Sequence, residues 1–406
     1  MLNVAEYGWA PAEPDSDSSA LLKVAMAKAA DDPRFGLPIW SKGIDETEAQ
    51  SRPIVLLGVS EFTYTILYCV DRTRVLGIVD DFRPSEAIFD VPCISTQHFS
   101  QIYKTNQQIL CINCARFGRG NLHFKGVALS LNAPLLNFEQ FVRLCMPAGL
   151  DYRLSDHLPA IVSNASRYDA LEARLTDDLS KETLRRVLLF HLTTCRDFYR
   201  SIERPYDTLY FRSGIFDLSP MERFVDCGAS IGESISTLLE ITSFHIDRAW
   251  LFEPDRINVQ TLQSVKGRLA RFSLNLAERI DLLPFAVGNG TGTVAFRHVG
   301  GHGGNVVTQF APTEYGDVQS VPVVALDDVV DRPTLVKMDI EGSEMEALEG
   351  ARGNIAAHRP RLCISAYHRP NDLVDIAELI QAIRPDYKVG LRHHTSLRWD
   401  TCLYFY

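Results

Sequence analysis

Residues 224–241 constrain the fold most, because an apolar run there leads into a glycine turn and then into an amphipathic segment. Phe224–Cys227 is predicted to form a strand and Gly232–Ile241 a helix, joined by Asp226-Cys227-Gly228-Ala229-Ser230-Ile231-Gly232. A strand, a glycine turn and a helix in this order place a ligand at the carboxyl end of a strand in an open α/β sheet. The spacing is Asp-x-Gly-x-x-x-Gly, which differs from the G-x-G-x-x-G of dinucleotide-binding turns.

The rest of the C-terminal half continues the alternation of apolar strands and amphipathic helices. A doubly wound, Rossmann-like parallel sheet that ends in an antiparallel hairpin explains this order. The predicted strands are Ala249–Glu253, Ile280–Val287, Leu335–Asp339, Leu362–Ala366, Tyr387–Leu391 and Leu403–Tyr406, and the predicted helices are Val259–Ala270, Met345–Ala351 and Leu373–Ile383.

A chain of 406 residues exceeds what one hydrophobic core usually supports, so we expect more than one domain. Residues 1–50 are predicted to be an N-terminal arm with a short helix near Ala20–Ala30. Residues 51–145 show a strand–helix–strand pattern that predicts a smaller Rossmann-like α/β domain. Residues 146–209 are predicted to be a helical connector, with Ser180 as a helix N-cap and His191 packed in the core. Residues 210–406 form the domain with the glycine turn.

Composition excludes several classes of protein. The net charge is −10 and we find no cluster of Lys and Arg, so no nucleic-acid partner is predicted. No apolar run approaches the length of a membrane-spanning helix, and the N-terminus does not resemble a secretion signal, so neither a membrane nor secretion is predicted. The nine scattered cysteines are typical of a reducing, cytoplasmic compartment. Cys111 and Cys114 lack a second ligand pair and are interpreted as strand-end thiols, so no metal site is predicted.

Two carboxylates mark a candidate cofactor pocket. Asp226 at the first strand end is placed to engage an ammonium group, directly or through water, while Gly228 lets the backbone approach the ligand. Glu253 follows the next strand, 21 residues after Gly232, where an acid accepts ribose hydroxyls. S-adenosylmethionine carries both groups and no phosphate. The alternatives are a purely structural turn and an ordinary surface Glu before Pro254.

A third strand end is unusually charged. Leu335–Asp339 delivers Lys337, Asp339 and Glu341 to the edge of the sheet where ligands bind. Charges in such a place are costly to bury unless they pair with each other or serve a ligand. The alternative is a structural Lys–Asp pair.

These segments resemble the FkbM-type methyltransferases. The motifs are VDCGASIG, FEPD, the FAVGNGTG segment at Phe285–Gly292, and VKMDIEGSEMEALEGA at Val336–Ala351. The resemblance covers about 195 residues and implies the class I methyltransferase fold, S-adenosylmethionine as donor, and O-methylation of a hydroxyl on a sugar or glycosylated metabolite. It also implies a cofactor-binding set made of Asp226, Cys227, Gly228, Ala229, Ser230, Gly232, Glu253, Ala286 and Val287.

Methyl transfer to oxygen requires alignment of the nucleophile and benefits from a general base. We predict that Asp339 positions or deprotonates the acceptor and that Lys337 fixes the charge of Asp339. Glu341 and His368 are further candidates, and His368 is equally well explained as a structural cap. Whether a metal assists stays open.

Two histidine-containing loops and one more turn allow different interpretations. Gly300–Asn305 is either a substrate lid or a mobile hairpin tip, and His393-His394 are expected to face solvent. The turn Gly58–Thr63 lacks two of the glycines of the dinucleotide motif, so we expect a degenerate domain for oligomerisation or substrate capture. The competing functions are an NAD(P)-dependent nucleotide-sugar oxidoreductase or epimerase, and a non-catalytic binding protein.

Overall fold

A computed structural model describes residues 17–31, 46–83, 86–116, 118–145, 153–301, 304–306 and 317–406. The chain divides into two compact units, and two of the three boundaries between them fall within helices. The first unit takes in residues up to Ala165 together with Arg185–Ser201. The second unit takes in Ser166–Leu184 together with Ile202–Tyr406.

The first unit contains a six-stranded sheet in the order β3-β4-β2-β1-β5-β6, parallel except for the β3–β4 pair. Its strands are β1 (Ile54–Leu57), β2 (Val75–Val79), β3 (Ala87–Ile88), β4 (Val91–Ile94), β5 (Leu110–Asn113) and β6 (Leu135–Asn137). Its helices are α1 (Ser18–Asp31), α2 (Glu46–Ser51), α3 (Glu61–Cys69), α4 (Thr96–Thr105), α5 (Gly118–Ser130), α6 (Phe138–Cys145) and α7 (Arg153–Ser163). Helix α1 covers the helix predicted near Ala20–Ala30, whereas the predicted arm at 1–16 and 32–45 lies outside the described residues.

Helices α8 (Ala165–Arg174) and α9 (Asp178–Thr193) follow. The prediction of Ser180 as N-cap is wrong, because α9 already begins at Asp178 and the Asp177 carboxylate accepts hydrogen bonds from the Ser180 N–H and hydroxyl. His191 is buried, as predicted, and its ring stacks on that of His157 at 4.0 Å.

The second unit is built on a seven-stranded sheet in the order β16-β17-β15-β14-β7-β8-β9. Its strands are β7 (Arg223–Cys227), β8 (Arg248–Phe252), β9 (Ile280–Leu283), β14 (Leu335–Met338), β15 (Arg361–Ser365), β16 (Val389–His393) and β17 (Thr401–Phe405). Five strands are parallel, and β17 runs antiparallel to both β15 and β16. The predicted α/β sheet with a terminal hairpin is therefore confirmed. The carboxyl ends of β7, β8 and β14 lie at one edge.

The helices of the second unit alternate with these strands. They are α10 (Glu233–Ile241), α11 (Arg256–Phe272), α12 (Leu274–Glu278), α13 (Leu326–Val329), α14 (Glu344–Glu349), α15 (Arg352–His358) and α16 (Asp372–Ile383). Helix α10 packs through Ile235, Leu238 and Leu239 against a core that contains Phe224 and Leu335. Burial of these side chains fixes where the loops after the strands lie.

The predicted strand Ile280–Val287 is wrong as a single element. It is divided into β9 and β10 (Ala286–Val287), which belong to different sheets. Pro284 stands between them, and proline cannot donate a ladder hydrogen bond. Strand β10 joins β11 (Gly292–His298), β12 (Asn305–Val306) and β13 (Asp317–Val324) in a small second sheet that we had not predicted.

Two predictions from composition concern the cysteines and membrane-spanning helices. All nine cysteines are free thiols, and Cys111 and Cys114 lie in and just after β5, as predicted. Within the described ranges, no helix combines the length and the apolar character needed to cross a bilayer.

Glu222 joins the starts of three sheet strands. It is fully buried, and its carboxylate binds one Arg361 nitrogen through both oxygens, at 2.7 and 2.8 Å. It also accepts hydrogen bonds from the Ser219 N–H and the Thr334 hydroxyl. Because Thr334 precedes β14 and Arg361 begins β15, this carboxylate holds the amino-terminal ends of these strands together.

We predict that Glu222→Ala lowers the free energy of unfolding by about 3 kcal/mol, since loss of one partner leaves the other groups buried and unpaired. Glu240→Ala is the matched control, because Glu240 is exposed and only meets Arg212 at 3.4 Å. The control should change stability by less than about 0.5 kcal/mol. Urea denaturation of both variants checks the prediction, and equal effects would contradict it.

Candidate active site

The turn after β7 is shaped by close contact with the end of β14. Gly228 has φ 80°, and a Cβ atom added there would lie 2.0 Å from the carbonyl oxygen of Asp339. The N–H groups of Gly228 and Ala229 donate to the Phe252 carbonyl at 3.0 Å. Glycine is therefore required at 228 by both the backbone conformation and the space.

A buried ion pair supports the same turn from below. The Lys337 ammonium lies 3.0 Å from Asp226 Oδ1, and both side chains are almost completely buried. The ammonium also donates to the Gly228 carbonyl at 2.6 Å. Burial lowers the pKa of Lys337, but the charges of Asp226 and Asp339 outweigh it and raise the pKa overall. In this structure Asp226 is buried and pairs with Lys337, and its contact with a ligand, directly or through water, stays a prediction.

Glu253 lies just after β8 and faces the turn. Its Oε2 accepts the Ser230 N–H at 2.7 Å and its Oε1 accepts the Asp255 N–H at 2.8 Å. Burial raises the pKa of Glu253 to about 7, although the two backbone donors act in the opposite direction. Each oxygen keeps an acceptor site for a further hydrogen bond.

A glycine segment lies over Ser230. Asp255 Oδ2 accepts the N–H groups of Val299 and Gly300 at 2.8 and 2.9 Å. Asn258 makes two 2.8 Å hydrogen bonds with the backbone of Gly301, whose carbonyl also accepts from the Ser230 hydroxyl at 3.3 Å. This end of the Gly300–Asn305 loop is thus fixed to α11, and His302 and Gly303 lie outside the described residues.

Asp339 follows β14 directly and receives two phenol groups. Tyr210 donates to its Oδ2 at 2.8 Å and Tyr367 donates to its Oδ1 at 3.2 Å. Burial raises the pKa of Asp339, but Lys337, His368 and the two hydroxyls outweigh that effect and lower the pKa overall. Asp339 is therefore an ionised carboxylate at neutral pH, with 23% of its side chain exposed.

His368 lies among carboxylates. Its Nδ1 is 2.9 Å from Glu344 Oε1, and its Nε2 is 3.5 Å from Asp339 Oδ1 and 3.7 Å from Glu341 Oε2. Burial lowers the pKa of His368, but Glu344, Glu341 and Asp339 outweigh it and raise the pKa to about 10. The imidazole is therefore protonated at neutral pH. Glu341 itself stands in a turn with φ 56° and is 34% exposed.

The remaining residues of the predicted cofactor set have different surroundings. Cys227 and Ala229 are buried in the core, and Gly232 caps α10 with φ 95°. Ala286 and Val287 form β10 and pair with β13 in the second sheet. Ser230 contributes its backbone N–H and its hydroxyl, as described above.

Three residues at the site were missed by sequence reasoning, namely Tyr210, Tyr367 and Glu344. Tyr210 has φ 65°, an unusual conformation for a bulky residue, and its N–H donates to the Tyr404 hydroxyl. No local pattern relates position 210 to position 339. Glu344 accepts the Ile340 N–H at 2.9 Å. It lies close to Asp339 in the VKMDIEGSE segment, so the sequence could have identified it as a site residue.

The prediction that His393 and His394 face solvent is wrong. Both are buried, and burial lowers their pKa values, to about 3 and about 4. His393 pairs with the Thr401 hydroxyl, and His394 lies between the hydroxyls of Thr208 and Tyr404. The β16–β17 hairpin folds them inward.

The first turn of the N-terminal unit is filled by its own side chains. The Ser60 hydroxyl accepts the Phe62 N–H and donates to the Cys114 carbonyl, and Thr63 completes a capping box. A Cβ atom added at Gly58 would lie only 2.8 Å from Cε2 of Phe124. Glu61 adds a negative charge at this helix start. These contacts disfavour a phosphate at the turn.

Comparison with known proteins places the chain in one family. The family model described as the methyltransferase FkbM domain matches residues 226–388. A crystal structure of methyltransferase FkbM from Methylobacillus flagellatus KT is 39% identical, with a TM-score of 0.83, and the match covers 97% of this chain and all of that one. The match therefore includes the N-terminal unit.

Other solved structures are far less similar. A fibrillarin/Nop5p complex is 13% identical with a TM-score of 0.28, and the match covers 47% of this chain and 75% of that one. LepI in complex with SAM is also 13% identical with a TM-score of 0.28, covering 76% and 83%. At this level of similarity, neither structure supports a conclusion about function. None of the curated proteins matched the chain.

We predict that Gly228→Ala lowers the free energy of unfolding by more than about 2 kcal/mol, because the new Cβ meets the Asp339 carbonyl in a left-handed conformation. Gly267→Ala is the control, since an added Cβ there has no neighbour within 4 Å and α11 is helical. The control should gain about 0.5–1 kcal/mol. Chemical denaturation distinguishes the two, and a stable Gly228→Ala protein would contradict the tight contact.

Proposed function

Since the chain belongs to the FkbM methyltransferase family, we propose that it transfers a methyl group from S-adenosylmethionine to a hydroxyl oxygen of a sugar or glycosylated metabolite. The proposal rests on one observation. The Gly228 turn, the Glu253 carboxylate and the ionised Asp339 follow three neighbouring strands, so they lie at the same edge of the sheet. Ligands of open α/β sheets bind at such an edge.

The residues at this edge fit the cofactor chemically. Glu253 keeps acceptor sites for the two ribose hydroxyls while backbone N–H groups of Ser230 and Asp255 hold its carboxylate in place. Gly228 and Ser230 are partly exposed, so this turn is accessible to the amino acid part of the ligand. When bound, S-adenosylmethionine supplies a methyl group on a positively charged sulfur.

Asp339 is the group best suited to receive the acceptor's proton. The hydroxyl proton of the acceptor would pass to Asp339 Oδ1 or Oδ2 as the acceptor oxygen takes up the methyl group and the donor leaves as S-adenosylhomocysteine. His368 is already protonated at neutral pH, which argues against it as the base. Lys337 and the Tyr210 and Tyr367 hydroxyls keep the Asp339 carboxylate ionised and oriented.

An exposed aromatic ring supports a carbohydrate acceptor. Tyr206 is 59% exposed, and the charges of Asp400 and Asp339 act with burial, the largest influence, to raise its pKa to about 12. Its hydroxyl lies within electrostatic range of Asp339, and apolar faces of sugars pack on exposed aromatic rings. The N-terminal unit, whose Gly58 turn is filled, is proposed to serve oligomerisation or substrate capture. That filled turn also disfavours the NAD(P)-dependent alternative.

We predict that Asp339→Asn reduces turnover about 100-fold or more while the affinity for S-adenosylhomocysteine stays within about twofold, because the amide cannot take up the proton. The measurements are formation of S-adenosylhomocysteine with an accepted glycoside and calorimetric binding of that product. Asp328→Asn, at an exposed position, should keep full turnover. Normal turnover of Asp339→Asn would remove Asp339 from the reaction.

We predict that S-adenosylhomocysteine binds about tenfold more weakly at pH 6 than at pH 8. Glu253 has its pKa raised to about 7 by burial, so it is mostly protonated at pH 6 and then accepts ribose hydroxyls poorly. The Kd should rise as the pH falls through 7 and level off above 8. Glu253→Gln should bind weakly at both pH values. A pH dependence that persists in this variant would exclude Glu253 as its source.

A further inference from the structure

We propose that Asp339, Glu344 and His368 form a binding site for one divalent metal ion at the acceptor side of the active site. One ligand atom from each residue lies within 4.8 Å of the other two. An imidazole nitrogen with carboxylate oxygens is a ligand set that Mn²⁺, Fe²⁺ and Zn²⁺ accept.

An orphaned oxygen gives independent support. Glu344 is 1% exposed, and its Oε1 is used by the Ile340 N–H and by His368 Nδ1. Its Oε2 is buried and has no hydrogen-bond partner among the described residues. A buried carboxylate oxygen without a donor is costly, and a cation bound beside it removes that cost.

Negative charge exceeds positive charge around His368, and a metal cation would reduce this excess. Asp339, Glu341, Glu344 and Asp372 all lie near one imidazole. Lys337 also pairs with Asp226 and donates to the Gly228 carbonyl, so it offsets only part of this charge. A divalent cation at this cluster would neutralise part of the surrounding negative charge.

The proposed site is buried on one side and exposed on the other, as in catalytic metal sites. His368 and Glu344 are 3% and 1% exposed, whereas Asp339 and Glu341 are 23% and 34% exposed. The inner side is therefore closed and the outer side is open to a water molecule or a substrate oxygen. Ligands of one such metal are about 3–3.5 Å apart, so binding would draw the three side chains slightly closer together.

This site gives the proposed reaction a second way to lower the barrier. A hydroxyl bound to the cation would lose its proton more readily. That consequence rests on the proposed function, but metal binding itself does not.

The test is titration of the full-length protein, without cofactor or acceptor, with Mn²⁺ alone. Free Mn²⁺ has an electron paramagnetic resonance signal that is lost on binding, so the bound fraction is read directly. We expect one ion per chain with a Kd below about 100 µM. His368→Gln and Glu344→Gln should each weaken binding at least about tenfold. Circular dichroism monitors whether these buried variants fold.

Two further variants keep the result decisive. Glu341→Gln changes a partly exposed side chain at the open side and should weaken binding less than the buried variants, without unfolding the protein. His245→Gln, at an exposed position, should bind as tightly as the unchanged chain. Absence of bound Mn²⁺, or binding that survives both His368→Gln and Glu344→Gln, overturns the proposal. Failure of cofactor binding with Mn²⁺ binding intact would instead count against the proposed methyl transfer.

Discussion

The buried pair formed by Lys337 and Asp226 is the interaction on which the site depends. Its ammonium joins the end of β14 to the end of β7 and holds the Gly228 carbonyl at 2.6 Å. Loss of one partner of such a pair usually costs about 3–5 kcal/mol, because the other charge stays buried. Lys337 also lowers the pKa of Asp339, so one side chain both shapes the cofactor turn and keeps the neighbouring carboxylate ionised.

Beyond this pair, the site separates into two parts with different electrostatics. On one side, Glu253 has its pKa raised to about 7 by burial and sits among backbone donors, which suits uncharged hydroxyl groups. On the other side, Asp339, Glu341 and Glu344 surround His368, which suits a proton or a metal ion. A methyltransferase needs this separation, because the donor and the acceptor must approach each other from different directions for an in-line transfer.

Local patterns predicted the fold well where strands and helices alternate, since apolar runs and glycine turns are encoded in adjacent residues. They failed at β10, where Pro284 moves two residues into another sheet, and at β11–β13, whose pairing is not local. At the site, Lys337, Asp339 and Glu253 could be identified because they follow strands. Tyr210 could not, because its hydrogen bond to Asp339 joins residues 129 positions apart. The roles of Asp226 and of His393 depended on burial, which composition does not reveal.

The most direct test of the proposed cofactor site is calorimetric titration of the full-length protein with S-adenosylhomocysteine and, separately, with NAD⁺ and NADP⁺. We expect one S-adenosylhomocysteine site per chain and no binding of either dinucleotide, because neither glycine turn offers an open diphosphate site. Binding of a dinucleotide without S-adenosylhomocysteine would contradict it.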